Sequence, residues 1–114
     1  MEYEYLFTYG VFRDAFNHLL EGSIFCDKVF VCGGMYKVNE FYPGFKRSPY
    51  IGRVWGDLVL IDKSILSDLD EFEGEEYKRS KIYTSSGEES WIYEWIGDVS
   101  VDSVIRSGDW LLRR

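Results

Sequence analysis

Apolar and polar residues alternate along several short segments of this chain, and such alternation is typical of half-buried β-strands. The clearest alternation runs from Arg53 to Ile61. Gly33-Gly34 predicts a bulge or kink in its strand, and residues 85–88 predict a turn between two paired strands. The predicted strands cover residues 4–9, 28–38, 53–61, 77–84 and 91–95.

Two segments instead have the spacing of amphipathic helices. In residues 13–20 the apolar side chains recur at helical intervals, and Gly22 is a suitable stop. Residues 62–72 have a similar periodicity, with Asp62 able to cap the start and Gly74 suited to the end. Two or so helices among five or six strands, without regular strand–helix alternation, predict an α+β fold.

The remaining segments predict loops. Residues 41–52 contain both prolines of the chain and predict an irregular loop or edge region. Residues 98–114 predict a tail with one short turn and a candidate last strand at Trp110–Leu112. The length of 114 residues favours one domain over residues 1–114, because two separate halves would each be too small for an adequate core.

The charge balance narrows the classes of expected partner. The chain has 20 acidic and 13 basic side chains, for a formal net charge of −7. Proteins that grip phosphate backbones usually have a basic patch, so nucleic acid is not an expected partner.

No apolar run approaches the ~20 residues that a membrane span needs, and the acidic start does not resemble a signal peptide. Cys26 and Cys32 are expected to be reduced, buried thiols in a cytoplasmic protein.

Most common catalytic machinery is missing from the sequence. His18 is the single histidine, and there is no Cys-x-x-Cys, so a zinc site would lack ligands. The P-loop, the Rossmann fingerprint and the Gly-x-Ser-x-Gly nucleophile motif are also absent. We therefore expect no metal and no cofactor, and the carboxyl groups become the main candidates for chemistry.

Glu73 is the candidate acid or base. Leu69 and Leu66 precede it by four and seven residues, which places Glu73 on or beside the apolar stripe of its helix. Partial burial and the helix C-terminus both disfavour a negative charge there and raise a carboxyl pKa. A carboxyl with a pKa closer to neutrality can shuttle protons. The alternative is a Glu that packs its methylene groups and points its carboxylate to water.

The segment Tyr9-Gly10-Val11-Phe12 is a second candidate site. Gly10 permits a sharp turn from the first strand into the first helix, and free N–H groups at such a turn can hold an anion. The alternative is an ordinary strand-to-helix turn with no ligand.

Together, these two sites resemble the γ-glutamylcyclotransferase-like proteins, which include the AIG2-like and γ-glutamylamine cyclotransferase branches. The most specific similarity joins Leu69-Asp70-Glu71-Phe72-Glu73-Gly74 to Tyr77-Lys78-Arg79. The other similar segments follow in the family's order: residues 7–12, 34–36, 41–44, 54–58 and 107–110.

The resemblance implies a small mixed β-barrel flanked by helices, with a cavity between the first turn and the end of the second helix. It implies an enzyme that cyclises a γ-glutamyl group to 5-oxoproline and releases an amine or amino acid. Glu73 would be the general acid and base, and Arg79 and Trp110 would support the site. The substrate would be held by Tyr9, Gly10, Val11, Phe12, Tyr42 and Tyr77.

The sequence departs from the family pattern in two places. Val11 stands where Thr or Ser is usual, and Phe12 replaces Leu. These departures motivate a second hypothesis, a binding protein of the same fold that has lost the chemistry. A third is a glycosidase-like carboxylate pair formed by Asp70 and Glu73, which would require a sugar cleft around both. A small-molecule γ-glutamyl substrate is the expected partner, and the sequence predicts no oligomeric state.

Overall fold

The computed structural model describes residues 2–10 and 20–112. Its single described α-helix, α1, covers Leu66–Glu73. Short 3₁₀ turns occupy Lys63–Ile65, Val101–Ser103 and Trp110–Leu112. The strands are β1 (Tyr3–Thr8), β2 (Ile24–Lys37), β3 (Pro43–Lys46), β4 (Gly52–Asp62), β5 (Tyr77–Tyr83) and β6 (Glu89–Trp95).

The strands form a ring. Their order in the sheet is β1-β4-β2-β3-β6-β5, and β1 also pairs with β6. The two closing contacts are parallel, at Leu6 with Trp91 and at Phe45 with Glu94. β5 lies outside the ring and pairs only with β6 among the described strands, as one arm of an antiparallel hairpin. This is a ring of strands with one packed helix rather than a regular barrel, and the α+β prediction is confirmed.

The ring has two hydrophobic clusters because successive residues of a strand point to opposite faces. Phe7 points into the ring, whereas its neighbour Leu6 points outward toward α1. α1 contributes Leu66 and Leu69 to the outer cluster, so its apolar stripe lies against the outside of the ring. The inner cluster consists of Phe7, Tyr9, Val29, Val31, Met35, Phe45, Val54, Leu58, Ile82, Ile92 and Trp110.

The predicted bulge at Gly33-Gly34 and the predicted loop over residues 41–52 are wrong. The register irregularity of β2 lies between Phe25 and Asp27, not at Gly33-Gly34. At the two glycines β2 instead changes its partner from β4 to β3. The predicted loop over residues 41–52 contains β3, which is formed by long-range pairing with β2 and β6. Gly44 permits a close approach of Trp95, because a Cβ on Gly44 would lie 2.6 Å from the Trp95 Cβ.

The second predicted helix is confirmed with a modified start. Asp62 accepts a hydrogen bond from the Ser64 N–H, as a cap does, but the first turn is 3₁₀. At its other end α1 stops at Gly74, which has a positive φ of 82°. Of the first predicted helix, residues 13–19 lie outside the described residues.

The predicted last strand at Trp110–Leu112 is wrong, since this segment is a 3₁₀ turn. The Asp109 carboxylate accepts a hydrogen bond from the Leu111 N–H at 3.0 Å, which caps the turn. The expected burial of the cysteines is also wrong. Cys26 and Cys32 are free and exposed. Cys26 lies at the register irregularity of β2, and Cys32 follows the inward-facing Val31.

No helix of the described segments is both long enough and apolar enough to cross a membrane.

Candidate functional site

A pocket lies where the end of β1, the start of β3 and the C-terminus of α1 meet. Its enclosed cavity measures about 20 Å³, which is room for about one water-sized group. The pocket opens to solvent, so a ligand would insert a small group and lie mainly at the mouth. Its walls are Leu6, Phe7, Thr8, Tyr9, Gly10, Tyr42, Pro43, Glu73, Tyr77 and Tyr93.

Glu73 supplies the carboxyl group of this pocket. It is the last residue of α1, one turn beyond the buried Leu69. Burial from water raises the pKa of Glu73 from its ordinary 4.5 to about 7. This is the shift that the apolar stripe of the helix predicts. No other carboxyl is found among the described residues of the pocket wall.

Two of the pocket tyrosines, Tyr9 and Tyr77, have their hydroxyl groups engaged in hydrogen bonds to the backbone. Tyr9 donates to the Tyr93 carbonyl at 2.5 Å and accepts from the Phe45 N–H at 3.0 Å. Tyr77 donates to the Pro43 carbonyl at 2.7 Å. Burial raises the pKa values of both Tyr9 and Tyr77. These side chains therefore shape the pocket as neutral rings, and Glu73 is left as the group that can change its charge near neutral pH.

Gly10 is required by a close approach between β1 and β3. A Cβ at this position would lie 2.8 Å from the Cδ of Pro43. Any larger side chain would push the two walls of the pocket apart. Gly10 therefore lines the pocket at the predicted turn, whereas Val11 and Phe12 lie outside the described residues.

The other candidate residues lie in three different parts of the structure. Tyr42 and Tyr77 line the pocket, with ring centroids 6.4 Å apart. Arg79 lies outside the pocket wall and pairs with Asp70. Trp110 packs inside the ring, in the same cluster as Tyr9.

Pro43 and Tyr93 are pocket residues that the sequence reasoning missed. The sequence predicts a loop at Pro43. In the structure, the pyrrolidine ring of Pro43 lies beside Gly10 and forms part of the pocket wall. Tyr93 lies on a predicted strand, and a signal for it was available. It alternates with Ile92, which faces the ring interior, so its side chain has to point outward toward α1.

Asp70 has the opposite environment to Glu73. Burial alone would raise the Asp70 pKa, but the hydrogen bonds from Arg79 and Tyr93 outweigh it and hold the pKa below its ordinary value. Asp70 does not line the pocket, so the two carboxyls do not share one cleft there. Within the described residues, no group of three or more His, Cys, Asp or Glu side chains is arranged to hold a metal ion.

Fold and site together define a small α+β ring protein with a carboxyl group in an aromatic pocket. The family model described as "Gamma-glutamyl cyclotransferase, AIG2-like" matches residues 6–112. The chain therefore belongs to this family, and the resemblance noted in the sequence is confirmed. No curated protein matches the chain at a significant level.

Solved structures share the fold. YkqA from Bacillus subtilis matches with a TM-score of 0.79 at 22% identity over 96% of this chain, which spans only 40% of YkqA. An AIG2-like protein from Mus musculus matches with a TM-score of 0.70 at 18% identity, covering 100% of this chain and 86% of its own. A γ-glutamyl cyclotransferase matches with a TM-score of 0.62 at 21% identity, covering 87% and 69%. Such low identities show the common fold and nothing finer.

Proposed function

We propose that this protein is a cyclotransferase, which converts a γ-glutamyl group to 5-oxoproline and releases an amine or amino acid. The observation that carries the proposal is Glu73, a half-buried carboxyl with a pKa of about 7 in the wall of an aromatic pocket. A general acid and base works best when its pKa lies near the working pH. Membership of the family supports the same reaction.

The proposed reaction needs no nucleophile from the protein. The neutral α-amine of the substrate attacks its own γ-carbonyl carbon, and a new C–N bond closes the five-membered ring. The Glu73 carboxylate takes a proton from the attacking nitrogen. When the bond to the leaving nitrogen breaks, Glu73 returns that proton to it. The products are 5-oxoproline and a free amine, Glu73 ends ionised as it began, and no water is consumed.

The pocket contributes by folding the substrate. A γ-glutamyl chain held with its amine against its γ-carbonyl reacts as an intramolecular pair, and effective concentrations in such pairs reach ~10⁵ M or more. We assign this role to Tyr9, Gly10, Tyr42 and Tyr77 in the pocket wall. On the family resemblance we also assign it to Val11 and Phe12, which lie outside the described residues. The free, exposed thiols of the chain suit a reducing compartment, and we place the reaction in the cytoplasm.

The test is release of 5-oxoproline from a panel of γ-glutamyl dipeptides and γ-glutamylamines. We expect multiple turnovers by the native protein and a loss of roughly 10²–10⁴-fold in Glu73→Gln, which keeps the shape of the side chain but cannot accept the proton. Circular dichroism should show that the variant remains folded. A fully active Glu73→Gln protein would rule out this role.

The pH profile gives a second readout of the same proposal. Glu73 accepts a proton only when ionised, so kcat/KM should rise with an inflection near pH 7, the pKa of Glu73. The inflection should be missing from any residual activity of Glu73→Gln. If γ-glutamyl compounds or 5-oxoproline bind without turnover, the second hypothesis, a binding protein that has lost the chemistry, replaces the first, and Val11→Thr becomes the variant to examine.

A further inference from the structure

The last turn of α1 is fastened to the β5–β6 hairpin by a single carboxylate. Asp70 accepts two hydrogen bonds from the Arg79 guanidinium, from Nε at 2.7 Å and from Nη2 at 3.0 Å. It accepts a third from the Tyr93 hydroxyl at 2.7 Å. A bidentate arginine fixes the orientation of a carboxylate as well as its distance. We name Asp70, Arg79 and Tyr93 the Asp70 clamp.

The clamp holds the part of the helix that carries Glu73. Leu69 is the last buried apolar side chain of α1. Beyond it, the backbone carbonyl of Asp70 accepts the Gly74 N–H at 3.0 Å, which closes the final turn around Glu73. Any movement of Asp70 therefore moves the backbone on which the Glu73 carboxyl is mounted.

Tyr93 connects the clamp to the pocket itself. Its hydroxyl binds Asp70, its ring lies in the pocket wall, and its carbonyl accepts the Tyr9 hydroxyl at 2.5 Å. Tyr9 in turn accepts the Phe45 N–H at the edge of β3. One chain of hydrogen bonds thus runs from the helix, through the hairpin, to the far wall of the pocket.

We propose that Asp70, Arg79 and Tyr93 are positioning residues, which hold the Glu73 carboxyl inside the pocket and away from water. The role in catalysis rests on the proposed function of Glu73. The positional effect itself does not, because it concerns only where the carboxyl lies.

The environment of Glu73 makes the effect measurable. Four tyrosines line the same pocket, two from β5 and β6 and two from the segments after β1 and before β3, and the charged groups near Glu73 on its own segment are acids. Burial keeps the pKa of the carboxyl high, so a loosened turn that admits water should lower it. Arg79 lines the neighbouring surface groove and is paired with Asp70. The facing groups are Tyr9, Tyr42, Tyr77 and Tyr93, and the neighbouring acids are Asp70, Glu71, Glu75 and Glu76.

The test uses Tyr93→Phe, which removes one hydroxyl from the clamp and keeps the ring in the pocket wall. Tyr36→Phe is the matched control. Tyr36 is 1% exposed, and its hydroxyl has no hydrogen-bond partner in the part of the chain that the structure describes. With ¹³C-labelled glutamate, the carboxyl signal of Glu73 is identified by its absence from the spectrum of Glu73→Gln, and its pKa is followed by titration.

We expect the pKa of Glu73 to fall in Tyr93→Phe from about 7 toward 4.5, and to stay unchanged in Tyr36→Phe. If the native protein turns over a γ-glutamyl substrate, the inflection in kcat/KM should move with the pKa. A second variant, Asp70→Asn, should shift the signal in the same direction.

An unchanged Glu73 pKa in folded Tyr93→Phe and Asp70→Asn would overturn the clamp. Absence of turnover in the native protein would count against the proposed function alone, because the titration is read without substrate. The two proposals can therefore fail independently.

Discussion

The last turn of α1 has two sides, and each presents one carboxyl to a different environment. On the pocket side, Glu73 meets aromatic rings and is shielded from water, which raises its pKa to about 7. On the hairpin side, Asp70 meets an arginine and a tyrosine hydroxyl, and its pKa lies below the ordinary value. Two carboxyls three residues apart therefore differ in protonation because one is merely buried and the other is also provided with donors.

This difference separates the tasks of the two residues. A carboxyl that stays ionised over the physiological range is suited to holding structure together, whereas one that titrates near neutrality is suited to moving protons. It also argues against the carboxylate-pair hypothesis. A glycosidase needs both acids to face one cleft, and here only Glu73 lies in the pocket wall.

The largest expected effect is an opposite pH dependence of stability. Folded protein keeps the Glu73 proton up to about pH 7, whereas the unfolded chain releases it near 4.5. The native free energy of unfolding should therefore fall as pH rises through this window, and Glu73→Gln should not show that fall. At ~1.4 kcal/mol per pKa unit, the variant should exceed the native protein by about 3 kcal/mol above pH 7.

Asp70→Asn should change the pH dependence of stability in the opposite direction. In the native protein, the Asp70 carboxylate contributes stability above its ordinary pKa of 3.8, and this contribution is lost as pH falls through the lower pKa of the folded state. Because the side chain is 43% exposed, solvent screening limits the loss to about 1 kcal/mol or less. Urea titrations between about pH 2 and 8 measure both variants. The difference in stability between the native protein and Asp70→Asn should disappear as pH falls below 3.8, and a difference that persists there would refute the contrast between the two sides of the helix.

A second prediction concerns the wall opposite Glu73. Gly10→Ala places a methyl group 2.8 Å from the Pro43 ring. This steric clash can be relieved only by moving β1 or β3. We expect a loss of about 2 kcal/mol in the free energy of unfolding and a raised KM with little change in the Glu73 pKa.

Gly87→Ala is the comparison for this variant. Gly87 has a positive φ of 87° but open space around it, and it lies in the hairpin turn rather than in the pocket wall. It should lose stability through backbone strain alone and leave KM unchanged. An equal effect of both variants on KM would contradict the assignment of Gly10 to the pocket.

The pocket side of the helix was largely predictable from the sequence. The spacing of Leu66, Leu69 and Glu73 already places one carboxyl on an apolar stripe, and periodicity is a local property of the chain. Gly10 could also be singled out, because a glycine that ends a strand indicates a turn or a close approach. The identity of its close neighbour, Pro43, could not.

The hairpin side was not predictable in the same way. Tyr93 lies 23 residues from Asp70 in sequence, and their hydrogen bond exists only after β6 has joined the ring. β3 was missed for a similar reason, since its short proline-containing segment is a strand by virtue of pairing with β2 and β6. Local propensity carries little information about such tertiary contacts.

The smallest expected effect tests whether the clamp depends on the shape of the arginine or only on its charge. Arg79→Lys keeps a cation beside Asp70 but loses the bidentate fork and the guanidinium face 4.2 Å from the Trp91 ring. Arg47→Lys is the matched control, because Arg47 also pairs with a carboxylate, that of Glu94 at 3.0 Å, outside the pocket. Each should cost less than about 1 kcal/mol. Only Arg79→Lys should lower the pKa of Glu73. An unchanged pKa in Arg79→Lys would show that the charge of the arginine suffices, and an equal shift in both variants would show that the effect is not specific to the clamp.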